Sequence, residues 1–114
     1  MKMSSLIDET VEKLKIERIY VCYQKLYKPI YEHLISEQCK SRIEILQVDD
    51  MEYTELKEHL NVLNEQDLLI LIMPFYVSGT DSEIMHNLLI NLEKKGVYFI
   101  NISAGVEGIK FTNK

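Results

Sequence analysis

Residues 67–92, DLLILIMPFYVSGTDSEIMHNLLINL, decide how this chain folds. Positions 68–73 form an apolar run with no polar interruption. A run of that length bounded by turn residues predicts a strand buried on both faces, as in parallel sheets. Pro74 has no N–H to give to a ladder, so pairing is expected to end there. Phe75, Tyr76, Val77, Ser78 and Gly79 then form a loop. A helix is expected to begin at Thr80 or Asp81, with Glu83 three residues after Thr80 making a capping box. Ile84, Met85, Leu88, Leu89 and Leu92 follow at helical spacing. Strand, aromatic loop and capped helix make a place where a ligand anion can meet free backbone amides. An ordinary strand-to-helix connection has the same pattern.

Outward from this block the same alternation repeats. Residues 18–23, RIYVCY, are β-branched and aromatic and predict the first strand. The loop 24–28 precedes Pro29, which suits the first turn of a helix running to about residue 38, with Ile30, Tyr31, Leu34 and Ile35 inward. Residues 42–48 predict the second strand, closed by Asp49 and Asp50. A helix over 53–63 turns Leu56, Leu60 and Leu63 inward. Gly96, just past Lys94 and Lys95, suits a helix C-terminus. Residues 97–102, VYFINI, predict the fourth strand, followed by the loop SAGVEG over 103–108 and a short tail. At the other end, Leu6, Ile7, Val11, Leu14 and Ile16 space as an amphipathic helix over 4–16, with Ser4 or Ser5 as its cap. The expected fold is therefore an α/β three-layer α/β/α sandwich. It has a four-stranded parallel sheet in order 2-1-3-4 and an extra N-terminal helix.

At 114 residues the chain is expected to form one domain. Its 46% apolar and 27% charged residues are a globular composition. A net charge of −5 argues against general nucleic-acid or anionic-membrane binding. No apolar run approaches the roughly 20 residues of a membrane span. The first residues, MKMSSLIDETVEKLK, lack a secretory apolar segment, so a cytoplasmic location is expected. Cys22 and Cys39 have neither zinc nor disulfide spacing. Cys22 lies in a strand pattern and reads as a small buried hydrophobe. A strand end is also where a nucleophile would sit, but no His or Asn partner is evident beside it. His33, His59 and His86 fall on separate helices and read as structural. Glu52, Glu55 and Glu58 read as a wet helix face.

In an open parallel sheet, ligands bind beyond the carboxyl ends of the strands. Three loops meet that edge: 24–28, 75–80 and 103–108. The middle one offers two rings, a hydroxyl and a glycine, suited to a flat heterocycle. The last has Gly105 and Gly108, which permit close backbone approach.

The block from Pro74 to Leu92 resembles the third strand, loop and helix of flavodoxin-like proteins, especially the NADPH-dependent FMN reductases. Pro74, Tyr76, Gly79, Asn87, Leu88 and Leu92 occupy matching positions, with one extra residue in the loop. Ser103, Gly105 and Gly108 are similar to the family's last flavin loop. The resemblance implies an FMN cofactor and an oxidoreductase or electron carrier. The flavin ring would lie against Pro74, Phe75, Tyr76, Ser78, Gly79, Thr80, Ser103, Gly105 and Gly108. Its phosphate would sit in the first loop, where Gln24, Lys25 and Lys28 depart from the family's Ser, Thr and Gly but offer charge. The segment Gly79-Thr80-Asp81-Ser82-Glu83 is also similar to the G-T-x-x-E signature of nucleoside deoxyribosyltransferase-like proteins, which would make Glu83 a nucleophile. A capping acid at a helix start is the plainer role for Glu83. A third alternative is a non-catalytic interaction module that keeps the fold without its ligand. A fourth strand left as an apolar edge, together with the spare N-terminal helix, implies a homodimer or docking on a larger protein partner.

Overall fold

Strand β3 (Asp67–Met73) runs through the middle of the sheet, and the pattern of its side chains sets the two cores. The computed structural model describes residues 3–34, 40–105 and 108–113. Strands β1 (Arg18–Tyr23), β2 (Ile43–Gln47), β3 and β4 (Tyr98–Gly105) are parallel and stand in the order β2-β1-β3-β4. Strand β5 (Gly108–Asn113) adds antiparallel to β4. Among the described residues four α-helices cover the sheet: α1 (Met3–Leu14), α2 (Lys28–Leu34), α3 (Tyr53–Leu60) and α4 (Ser82–Lys94). The three-layer α/β/α sandwich with four parallel strands in order 2-1-3-4 is thus the architecture of this chain. No helix among the described residues is long and apolar enough to cross a membrane.

Successive side chains of a strand point to opposite faces. Leu68, Ile70 and Ile72 accordingly join Ile7 and Val11 of α1, with Ile19, Val21, Ile100 and Ile102 of the neighbouring strands. Leu69 and Leu71 join Leu56 and Leu60 of α3 and Leu88 and Leu92 of α4 on the other face. The register aligns Ile19, Leu68 and Tyr98 across three strands, so each layer of one strand meets the same layer of the next. Helix α1 covers this face together with Tyr27 and with Ile30 and Tyr31 of α2, and its amphipathic pattern supplies Ile7 and Val11 to the core.

The lower end of the sheet is pinned by one ion pair. Asp67, with only 1% of its surface exposed, accepts from Arg18 Nε at 3.0 Å and Nη2 at 2.8 Å. Its Oδ2 also accepts from the backbone N–H of Asn64 at 2.8 Å. Arg18 Nη2 reaches the Val62 carbonyl at 3.0 Å. Arg18 and Asp67 are register partners, so the bridge ties the first residues of β1 and β3 and the turn leading into β3. All of Asp67's charge is met by donors, as burial requires.

Several elements depart from their sequence expectation. Helix α1 begins at Met3, so Ser4 and Ser5 lie inside it and not at its cap. The expected end of the second helix near residue 38 lies outside the described residues. Helix α3 stops at Leu60, and Leu63 is buried from a turn closed by Leu63 N–H to Leu60 carbonyl. Just beyond, the Val62 carbonyl is bonded by Arg18 and the Asn64 amide by Asp67. Gly96 does end α4, at φ +92°, donating to the Glu93 carbonyl while Val97 donates to that of Leu92.

The largest departure is at the C-terminal end. Residues 103–105 continue β4, and the expected tail returns as β5, pairing Ser103 with Lys110 and Gly105 with Gly108. An unpaired strand edge exposes a row of N–H and C=O groups, and here the chain's own tail satisfies them. The edge on which a two-fold pairing was expected is therefore filled from within the chain.

Candidate functional site

The chain leaves β1 towards β2 and leaves β3 towards β4, so the loops after these adjacent strands diverge. Such a switch point opens a crevice at the carboxyl end of the sheet. The loop after β3 begins at a cis Met73–Pro74 bond. It then alternates: Phe75 is 9% exposed, Tyr76 78% and Val77 7%. Phe75 and Val77 plug the core above α3 and α4, which anchors the loop at both sides of Tyr76. The Ser78 carbonyl accepts from the Tyr53 N–H at 2.7 Å, and Glu52 bridges Ser78 in parallel fashion.

Gly79 turns the chain at φ +84°, a conformation that favours glycine, and a Cβ there would come within 3.2 Å of Glu52 Oε2. Asp81 then caps α4, its Oδ1 accepting from Ile84 N–H at 2.9 Å. The Thr80–Glu83 capping box does not form. Asp81 lies one residue closer to the helix and takes the cap, while Thr80 Oγ1 donates to the Asp81 carbonyl at 3.2 Å. The N–H groups of Ser82 and Glu83 are the first two of the helix, where no carbonyl one turn back can reach them, and no acceptor meets them among the described residues. Ser78 and Ser82 are exposed and Thr80 half-buried, so hydroxyls lie before and beside these open amides. Glu83 is an exposed acid of the first turn, a placement favoured by the helix dipole.

The first loop is built differently. Gln24 precedes a single 3-10 turn over Lys25–Tyr27, and the N–H of Lys25 donates to Asp49 Oδ1 at 2.7 Å. A carboxylate of the protein thus occupies the amide at which a phosphate was expected, and Gln24, Lys25 and Lys28 form no phosphate cradle. Lys25 and Lys28 remain exposed and carry positive charge on the edge next to the β3 loop. Ser103 and Gly105 lie in β4 and Gly108 opens β5, so the third expected ligand loop is a strand pairing instead. Pro74 is exposed and Phe75 is core, which leaves Tyr76, Ser78, Gly79 and Thr80 as the expected site residues that the structure keeps together at the open edge. Asp81 is one of the two helix starts that the sequence offers, and the bond from the Lys25 N–H to Asp49 is the contact that the sequence does not show. Each is an Asp directly at a strand end or helix start, the residue type that seeks backbone N–H groups.

His33 and His86 are exposed, His59 is half-buried, and no cluster of three metal-ligating side chains occurs among the described residues. A groove of about 550 Å³ lies elsewhere, beside α1, lined by residues that include Glu9, Lys13, Leu14 and Tyr98. It belongs to a helix flank. The sheet edge is the place where hydroxyls and open amides converge.

Cys22, at the end of β1, is fully buried, and desolvation pushes its thiol up to about 12 from 9.0. A nucleophile needs the opposite shift. The folded protein is expected to leave this thiol unreacted with a disulfide reagent at pH 8, and unfolding in guanidinium should expose it. Between pH 9 and 12 the unfolded chain releases this proton and the folded chain keeps it. Stability should therefore fall as pH rises through that window. Rapid native labelling at Cys22 itself, read with Cys39 replaced by Ser, would contradict the burial.

No family model and no curated protein matches the chain. Among solved structures it overlays on a "putative sugar-phosphate isomerase" from Listeria monocytogenes, with a TM-score of 0.55 and 20% identity. The overlay covers 98% of this chain and 59% of that one, so this chain spans less than two thirds of the neighbour. The likeness is one of fold. It overturns the resemblance to NADPH-dependent FMN reductases, and with it the flavoprotein, oxidoreductase and electron-carrier readings. Neither the deoxyribosyltransferase alternative nor the ligand-free module is supported by it. The flavin motif misled because Pro, Tyr, Gly and a following helix recur wherever a parallel strand turns into a capped helix.

Proposed function

We propose that this chain binds a phosphorylated sugar at the carboxyl edge of its sheet, with the phosphate on residues 78–83. The carrying observation is the turn in which the open N–H groups of Ser82 and Glu83 start a 13-residue helix, with the exposed Ser78 and Ser82 close by in the chain. Backbone amides, hydroxyls and the positive end of the helix dipole all favour an anion. Gly79 lets the chain turn at φ +84° beside Glu52 and Tyr53, which sets Ser78 and Thr80 on either side of the turn. Lys25 and Lys28 on the adjacent loop bring positive charge to the same sheet edge, and one oxygen of Asp81 is engaged by Ile84 N–H. The exposed carboxylates of Asp49, Asp50 and Glu52 are acceptors for sugar hydroxyls. The neighbour's description supports the ligand class. Recognition and not turnover is proposed, because this chain spans only 59% of that protein.

A phosphorylated sugar is held by its charge in the compartment where it is made, so the same reading places the protein in the cytoplasm. Calorimetry with a hexose 6-phosphate is the test. Binding should weaken as salt is raised. Ser78→Ala and Ser82→Ala should each weaken it roughly tenfold, as loss of a hydrogen bond to a charged group does. Equal binding of the unphosphorylated hexose, or none of either, would overturn the reading.

A further inference from the structure

We propose that Tyr76 is the platform on which the sugar ring lies, so that the site takes a cyclic hexose phosphate in preference to a short acyclic one. The inference rests on the reading of residues 78–83 as the phosphate seat, and adds what the rest of the ligand must be. A single exposed aromatic is ordinary on a protein surface. Tyr76 differs in how it is held. Its neighbours on both sides, Phe75 and Val77, are sunk in the core at 9% and 7% exposure, while Tyr76 itself is 78% exposed. One residue further on, the Ser78 carbonyl is fixed by Tyr53 N–H at 2.7 Å. The backbone under the ring is therefore pinned before and after it, and the ring stands out at the open edge without help from any mobile segment. Preorganised presentation of this kind lowers the ordering cost of binding.

Placement matches a ring-bearing phosphate. Tyr76 and Ser78 are two positions apart, a span of at most about 7 Å along the chain. A pyranose with its phosphate on an exocyclic carbon spans a comparable distance between ring and anion. One face of such a ring presents C–H groups while its rim carries hydroxyls. Tyrosine is matched to that division, with an apolar ring body and a polar tip. Leu26, 77% exposed on the loop after the adjacent strand β1, adds apolar surface to the same edge. An acyclic polyol phosphate has no flat apolar face to set against either.

The test compares glucose 6-phosphate with glycerol 3-phosphate on the full chain, by calorimetry, for the wild type, Tyr76→Phe and Tyr76→Ala. Because the side chain is exposed, thermal melts of both variants should overlay the wild type. Tyr76→Ala is expected to weaken glucose 6-phosphate roughly five- to tenfold, the size of an aromatic contact. Glycerol 3-phosphate should be unaffected, and Tyr76→Phe should keep most of the hexose affinity. If the wild type binds both ligands and Tyr76→Ala alters neither, or weakens both equally, the platform is wrong and the phosphate seat stands. If the wild type binds neither, the phosphate seat falls and the platform with it. A wild-type dimer that Tyr76→Ala dissociates in light scattering would overturn the platform by assigning the ring to a protein interface.

Discussion

Asp67→Ala is expected to lower the stability of this protein by about 3 kcal/mol, with a fall in Tm of roughly 10–15 °C. The carboxylate is 1% exposed and meets three donors, two from Arg18 and one from the Asn64 backbone. Removing it leaves the Asn64 N–H without its acceptor and the guanidinium without its counter-charge. Arg18 keeps 43% of its side chain in contact with water, which holds the loss near the lower end of the range for broken buried pairs. The guanidinium's own proton affinity is raised, first by its hydrogen bond to Asp67 and then by the attraction of that charge. Urea denaturation checks the value. A loss below 1 kcal/mol would mean that the ion pair does not tie β1 to β3.

Phe75→Ala is expected to cost about 3 kcal/mol, the usual cost of emptying an aromatic site in a core. Tyr76→Ala, one residue along the same loop, should cost less than about 0.5 kcal/mol, as exposed substitutions do. The contrast follows from 9% against 78% exposure. It separates the present structure from any arrangement in which both rings face a flat ligand. Phe75→Ala should also weaken sugar-phosphate binding, because the ring anchors the loop that carries Ser78 and Gly79. Two equal losses, or two negligible ones, would contradict the in-and-out alternation.

The fold was legible because its cause is local. Six apolar residues before Pro74, the 3.6-residue stripe from Ile84 to Leu92 and Gly96 beyond it each dictate one element. The repeat of strand and helix then leaves few topologies open. The site was only half legible. Tyr76, Ser78, Gly79 and Thr80 follow one another at the end of β3, so their placement at the sheet edge comes from chain proximity alone. The role of Phe75 depended on which way one side chain turned, and a loop has no periodicity to announce it. Asp49 reaches the Lys25 amide across 24 positions of sequence, a contact that no window around either residue contains. The return of residues 108–113 to β4 was hidden because an edge strand needs only one good partner, and its weak, mixed pattern reads as a tail.

The phosphorylated sugar is proposed to bind at the β3–α4 turn. Titrating glucose 6-phosphate into labelled protein while following backbone N–H resonances tests it most directly. Saturable shifts should concentrate at residues 78–83, with smaller ones at Tyr76 and in the loop carrying Lys25 and Lys28. The lower end of the sheet around Arg18 and Asp67 should stay unmoved. Shifts centred on the groove beside Glu9 and Lys13 of α1, or none at millimolar ligand, would contradict the account.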